Sequence, residues 1–268
     1  MRSSPLVTYF VLVFAITWST AAVAIFASEW FTRTFGQLDA SNPVFFFAVY
    51  APSLVSIGLT ALFEGRPGLK ALFARLDPRR CHPVWYLVVL GGFLAVTGVA
   101  GWIGSLVGGP APVWHLTGAA GSLAGALLRD PGPLGEELGW RGYALPRMLR
   151  RWKPVTASLI LGVIWGVWHL PAFYVSTLGQ SQLSFPAFIL GAVSLSVVTG
   201  WLFLKSKGSV LIAILVHLMA NHASDITGAS FNQMTYGLAV VAVVLVLTGQ
   251  LSPEPAAEHQ PVEAPAKG

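Results

Sequence analysis

The chain has 268 residues, of which 54% are apolar and only 10% charged, with a mean hydropathy of +0.68. Soluble domains carry roughly 25% charged residues, so a wholly water-facing surface is excluded and the exterior must meet lipid. The net charge of +5 and pI near 9.6 do not mark a nucleic-acid binder. The basic residues lie in short clusters between uncharged stretches, which suits loops on an anionic lipid surface. Neither zinc-finger spacing nor a glycine-rich phosphate loop is present.

A helix crossing a hydrocarbon core of roughly 30 Å needs about 20 apolar residues. Eight stretches qualify, near 5–28, 43–63, 83–107, 133–151, 154–176, 186–204, 209–226 and 234–251. They predict an all-α, polytopic membrane protein with one transmembrane domain over 1–251. The first apolar run, about 24 residues, exceeds the 7–15 of a signal peptide and reads as a retained anchor. The sole cysteine, Cys81, lies in a basic loop and excludes an intramolecular disulfide. Residues 113–129 are apolar and rich in small residues, and they end at the breaker Arg129-Asp130-Pro131-Gly132-Pro133. They read as an outer-surface or re-entrant helix. Residues 252–268, rich in Pro, Ala and Glu, read as a disordered cytoplasmic tail.

Orientation follows the lysines and arginines. Arg66, Lys70, Arg75, Arg79 and Arg80 follow the second span; Arg147, Arg150, Arg151 and Lys153 follow the fourth; Lys205 and Lys207 follow the sixth. The opposite loops hold Arg33 and Arg129, and 177–185 holds none. All basic clusters fall on one side, which predicts a multi-pass protein of the cell membrane with both termini inside.

An ionisable residue inside a span costs about 2.5–3.5 kcal/mol and survives where it faces a partner or a watery cavity. Here these residues concentrate on three helices: Glu136, Glu137 and Arg141 in the fourth span, His169 in the fifth, and His217 with Asn221 in the seventh. At a rise of 1.5 Å per residue, Glu136 and Asn221 lie about 21 Å, His169 about 24 Å and His217 about 15 Å from their cytoplasmic anchors. Three helices thus deliver polar groups to a similar level. Glu137 and Arg141 have the i,i+4 spacing of an ion pair, which leaves Glu136 free to act. His217 and Asn221 share a helix face, and His222 is expected to point elsewhere. Trp165, one turn before His169, forms an aromatic wall. Gly135 and Gly139 permit close helix approach, and Pro171 should bend the helix just past His169.

Taken together, Glu136-Glu137-Leu138-Gly139-Trp140-Arg141, Trp165-Gly166-Val167-Trp168-His169 and His217-Leu218-Met219-Ala220-Asn221 resemble the EExxxR, FxxxH and HxxxN/D motifs of the CPBP intramembrane proteases. That group includes the type II CAAX prenyl endopeptidases and the bacterial Abi proteins. The resemblance covers a core of about 130–225, with Trp165 where the family usually has Phe. It implies an endopeptidase acting on membrane-associated or prenylated CAAX-like proteins, with the lipid bilayer as its other partner and no nucleic acid. Glu136 and His169 would then position and deprotonate a water, and His217 and Asn221 would donate to the oxyanion. Glu137, Arg141 and Trp165 would support them. No cofactor is expected on this reading. The alternatives are a zinc peptidase, with Glu136, His169 and His217 as ligands and an open fourth position, and a non-enzymatic scaffold or immunity protein on the same fold.

Cysteine-accessibility labelling in intact cells should find 66–82, 147–153 and 205–207 protected and 177–185 reactive. A cytoplasmic 177–185 loop would change the span count by one.

Overall fold

The structure, a computed structural model, describes residues 5–109 and 111–251, so the expected tail at 252–268 lies outside the described residues. The fold is all-helical, with no β-strand among the described residues. In chain order the α-helices are α1 (Pro5–Phe26), α2 (Ser28–Phe35), α3 (Pro43–Val49), α4 (Ala51–Phe73), α5 (Val84–Leu106), α6 (Ala119–Arg129), α7 (Pro131–Gly139), α8 (Leu145–Met148), α9 (Pro154–Trp168), α10 (Phe185–Lys205), α11 (Val210–Thr227) and α12 (Phe231–Leu247). Their starts follow local chemistry. Pro occupies the first turn of α3, α7 and α9, where its missing N–H costs nothing. Asn42, Asp130 and Ser209 cap α3, α7 and α11 through their side chains. Ser230 and Gln233 form a reciprocal capping box on α12.

Five helical segments are long and apolar enough to cross a membrane: α1, α5, α9 continued to Tyr174, α10 and α11. The α3–α4 pair, bent by 54°, makes a sixth if it counts as one span. The other two of the expected eight take different forms. The last is α12, an apolar helix one residue short of an 18-residue span. The fourth changes pitch: α7 passes into a π-turn at Trp140–Ala144 and then into α8. Nearly every residue of α7 and the π-turn is buried, including Glu136, Glu137 and Arg141. The charges that lower its apolar character are therefore shielded by neighbouring helices.

The 113–129 segment is helical only from Ala119, after Gly118 at φ +78°. Its irregular lead is tied down by the His115 N–H donating to the Ile226 carbonyl at 2.7 Å. α4 breaks at Gly65, whose φ of +64° suits glycine, with Pro67 two residues on. Past His169, which ends α9, the chain tightens into a 3₁₀ turn over Leu170–Tyr174. Pro171 cannot supply the N–H that continuing the α-helix requires. Cys81 is buried and unpaired.

The site helices are held by tight packing. α4 and α11 flank α7, α5 backs α11, and α10 lies between α9 and α12. A Cβ on Gly139 would sit 2.4 Å from the Pro52 carbonyl oxygen and 2.5 Å from Tyr9 Oη; one on Gly135 would sit 2.8 Å from the Tyr50 ring. Large apolar side chains such as Val11, Leu87, Trp102, Val240 and Leu247 point outward, as a lipid-facing surface requires. Replacing Gly139 with Ala should lower the melting temperature of the detergent-solubilised protein, because forcing atoms into a packed interior costs about 1–3 kcal/mol. A melt identical to wild type would rule out the close α4–α7 approach.

Candidate active site

Glu136 hangs from α7 into the interior, only 3% exposed. Its two oxygens have different duties. Oε2 accepts from Trp165 Nε1 at 2.6 Å and from Trp140 Nε1 at 3.3 Å. Oε1 lies 4.0 Å from His169 Nε2. His169, at the end of α9, points Nδ1 at its own helix, 2.9 Å from the Trp165 carbonyl. A carbonyl only accepts, so Nδ1 carries the hydrogen, and in the neutral ring Nε2 is left bare toward Glu136.

Glu137, one residue on and facing another way, is fully buried. Its Oε1 accepts from Arg141 Nη1 at 2.7 Å and from His217 Nδ1 at 2.9 Å. The i,i+4 pair with Arg141 is therefore present, and it is extended to a third group on α11. Glu137 Oε2 and the Nε and Nη2 of Arg141 are buried without a hydrogen-bond partner among the described residues. The Arg141 guanidinium also lies 4.9 Å from the centre of the Trp165 ring. Trp165 meets His169 and His217 edge-on, with centroid separations of 5.5 and 5.4 Å. It is a wall, as its spacing suggests, and also a hydrogen-bond donor to Glu136.

Glu136, His169, His217 and Asn221 line one cavity of about 730 Å³, walled also by apolar side chains such as Phe188, Phe231 and Leu238. Asn221 is more exposed than the other three. It donates through Nδ2 to Asp130 Oδ2 at 2.7 Å. His222 does not point elsewhere, as the sequence suggests. It lines the same cavity, with Nε2 3.1 Å from Asp130 Oδ2 and Nδ1 3.3 Å from Asp225 Oδ2.

Trp140 and Asp130 as site groups, and the contact of Glu137 with His217, lie outside what the sequence predicts. Trp140 had a readable signal, being four residues after Glu136 and so on its face. Asp130 was read only as part of a breaker.

Among the described residues, no three His, Cys, Asp or Glu side chains form a group suited to a metal ion. The trio Glu136, His169 and His217 is divided between partners: Glu136 Oε2 is held by two indoles and His217 Nδ1 by Glu137. None of these contacts uses Glu136 Oε1 or the Nε2 atoms of His169 and His217.

Residues 121–223 match the family model described as type II CAAX prenyl endopeptidase Rce1-like. The matched stretch contains all three polar motifs, and the resemblance read from them holds. A curated relative, CAAX prenyl protease 2 of Methanococcus maripaludis, is 32% identical over 92 residues. That alignment covers 32% of this chain and 34% of the relative, so the chain spans about a third of the length of the curated protein it matches.

Arg141→Ala leaves Glu137 facing His217 alone in a buried site, and removing one partner of a buried pair costs about 3–5 kcal/mol. Thermal melting of the purified variant should drop before any functional loss is read. Normal stability would mean that the Glu137–Arg141 pair does not hold the site together.

Proposed function

We propose that the chain is an intramembrane endopeptidase that hydrolyses peptide bonds in membrane-associated or prenylated CAAX-like substrates. The observation that carries this reading is the 4.0 Å separation of Glu136 Oε1 and His169 Nε2, each group anchored through its other polar atom. Two acceptors at that distance suit one water donating a hydrogen to each. Its lone pairs are then free to attack a carbonyl carbon, and Glu136 or His169 takes the proton released.

The oxyanion formed needs donors. Glu137 is an acceptor, so His217 Nδ1 carries a hydrogen. Nε2 can then donate only when His217 is the imidazolium. Asn221 supplies the second donor.

The substrate class is inferred from two features. The cavity is large and mostly apolar at its walls, which suits a lipidated chain, and the relative's name specifies a CAAX prenyl protease. The protein would work in the cell membrane with both termini inside, and without a bound metal.

The test uses purified full-length protein in vesicles and a quenched fluorescent farnesylated peptide ending in a CAAX sequence. Glu136→Ala and His169→Ala should stay folded and lose almost all cleavage. Asn221→Ala should cost about 10²–10³ in kcat, the usual effect of one lost oxyanion donor. Cleavage should persist in excess chelator. Inhibition by chelator that zinc reverses would replace this mechanism with a zinc-dependent one, and a fully active Glu136→Ala would remove the protease reading.

A further inference from the structure

Asp130 stands just before the helix that carries Glu136, and it touches two site-bearing helices at once. Its Oδ1 accepts from the Gly132 N–H at 2.9 Å and caps α7. Its Oδ2 receives Asn221 Nδ2 at 2.7 Å and lies 3.1 Å from His222 Nε2, both on α11. With its side chain 19% exposed, it borders the cavity alongside Glu136, His217 and Asn221.

The chemistry of this contact is one-sided. An ionised carboxylate accepts and cannot donate, so the Asn221 amide must meet Asp130 with its nitrogen. A flipped amide would set its oxygen against the carboxylate. One N–H of Asn221 is thereby used, and the planarity of the amide fixes the direction of the other. A second observation indicates the space involved. A Cβ built on Gly132 would lie 3.2 Å from Asp130 Oδ1, 3.2 Å from His217 Nε2 and 3.5 Å from Asn221 Nδ2. The two nitrogens therefore flank one small volume, which the absence of a side chain at Gly132 keeps open.

We infer that Asp130 is a positioning residue, which orients the Asn221 amide so that an N–H joins His217 Nε2 at the oxyanion position. The inference rests on the protease reading above. It also makes a prediction opposite to simple electrostatics. A bare negative charge beside a developing oxyanion slows its formation, so neutralising Asp130 would then raise the rate. A positioning role lowers it.

The measurement is kcat and KM for cleavage of the same farnesylated peptide by full-length protein in vesicles, with thermal melting recorded in parallel. Asp130→Asn keeps an oxygen for the Gly132 cap and removes the charged acceptor from Asn221; Asp130→Ser is the second variant should the first fold poorly. The expected result is a fall in kcat of about tenfold or more with KM changed by less than about twofold, the pattern of a group that acts in the transition state. In an Asn221→Ala background the Asp130 substitution should have no further effect on kcat, because residues that act through one another are not additive. A raised kcat, or full additivity with Asn221→Ala, overturns the inference and leaves the protease reading intact. A wild-type protein inert toward the peptide, or an active Glu136→Ala, overturns that reading and this inference with it.

Discussion

Glu137 is the residue on which the rest of the arrangement depends. One of its oxygens takes hydrogen bonds from Arg141 on its own segment and from His217 on α11. At zero exposure, an isolated carboxylate would carry a desolvation cost of several kcal/mol. The same is true of the guanidinium beside it. Neither charge can leave without stranding the other, so α7 and α11 are pinned at a fixed height and rotation. Trp165 closes the arrangement from α9, with its indole N–H on Glu136 and its ring beneath the guanidinium. Three helices are thereby locked by polar contacts in a medium where apolar packing alone distinguishes poorly between lipid and protein neighbours.

Glu136, His169 and Asp130 sit where regular helix gives way, whereas His217 and Asn221 project from the interior of α11. Glu136 lies one turn before the π-turn, His169 caps the C-terminus of α9, and Asp130 stands just ahead of α7. Helix interiors satisfy their own backbone and offer only side chains, whereas their ends add free N–H and C=O groups. His169 uses the Trp165 carbonyl near such an end to choose its tautomer, and Asp130 uses the Gly132 N–H to fix its own carboxylate. Small glycines complete the pattern by letting α4 press against α7 without a side chain between them.

Much of this was legible in the sequence, because lipid makes polar residues conspicuous. Glu136, Glu137, Arg141, His169, His217 and Asn221 stand out against apolar runs, and their depths brought three helices to one level before any coordinates. Periodicity also gives the Glu137–Arg141 pair, and Pro171 the change of helical form just past His169. What spacing could not give was contact between distant segments. Asp130 looks like a turn residue, and His222 like a side chain that points elsewhere, until a sequence separation of 92 is folded away. The span count was harder for a related reason. Apolar length does not reveal that α3 and α4 bend, nor that the fourth expected span changes pitch at a π-turn.

That π-turn carries a consequence for how the two ends of its segment are aimed. An α-helix turns each residue by about 100° relative to the last, and a π-turn accommodates one residue more than that pitch allows. Glu136 and Glu137 above it, and Tyr143, Leu145 and Met148 within or below it, therefore do not share a continuous helical phase. Tyr143 lies against Tyr9 of α1 at a ring separation of 5.0 Å, and Arg147 reaches Glu64 on α4. Those moorings are set independently of the rotation that the carboxylates need. Excising one residue from the turn would restore regular pitch and force a choice between the two orientations, so the irregularity is what lets one segment obey both its chemistry and its anchorage.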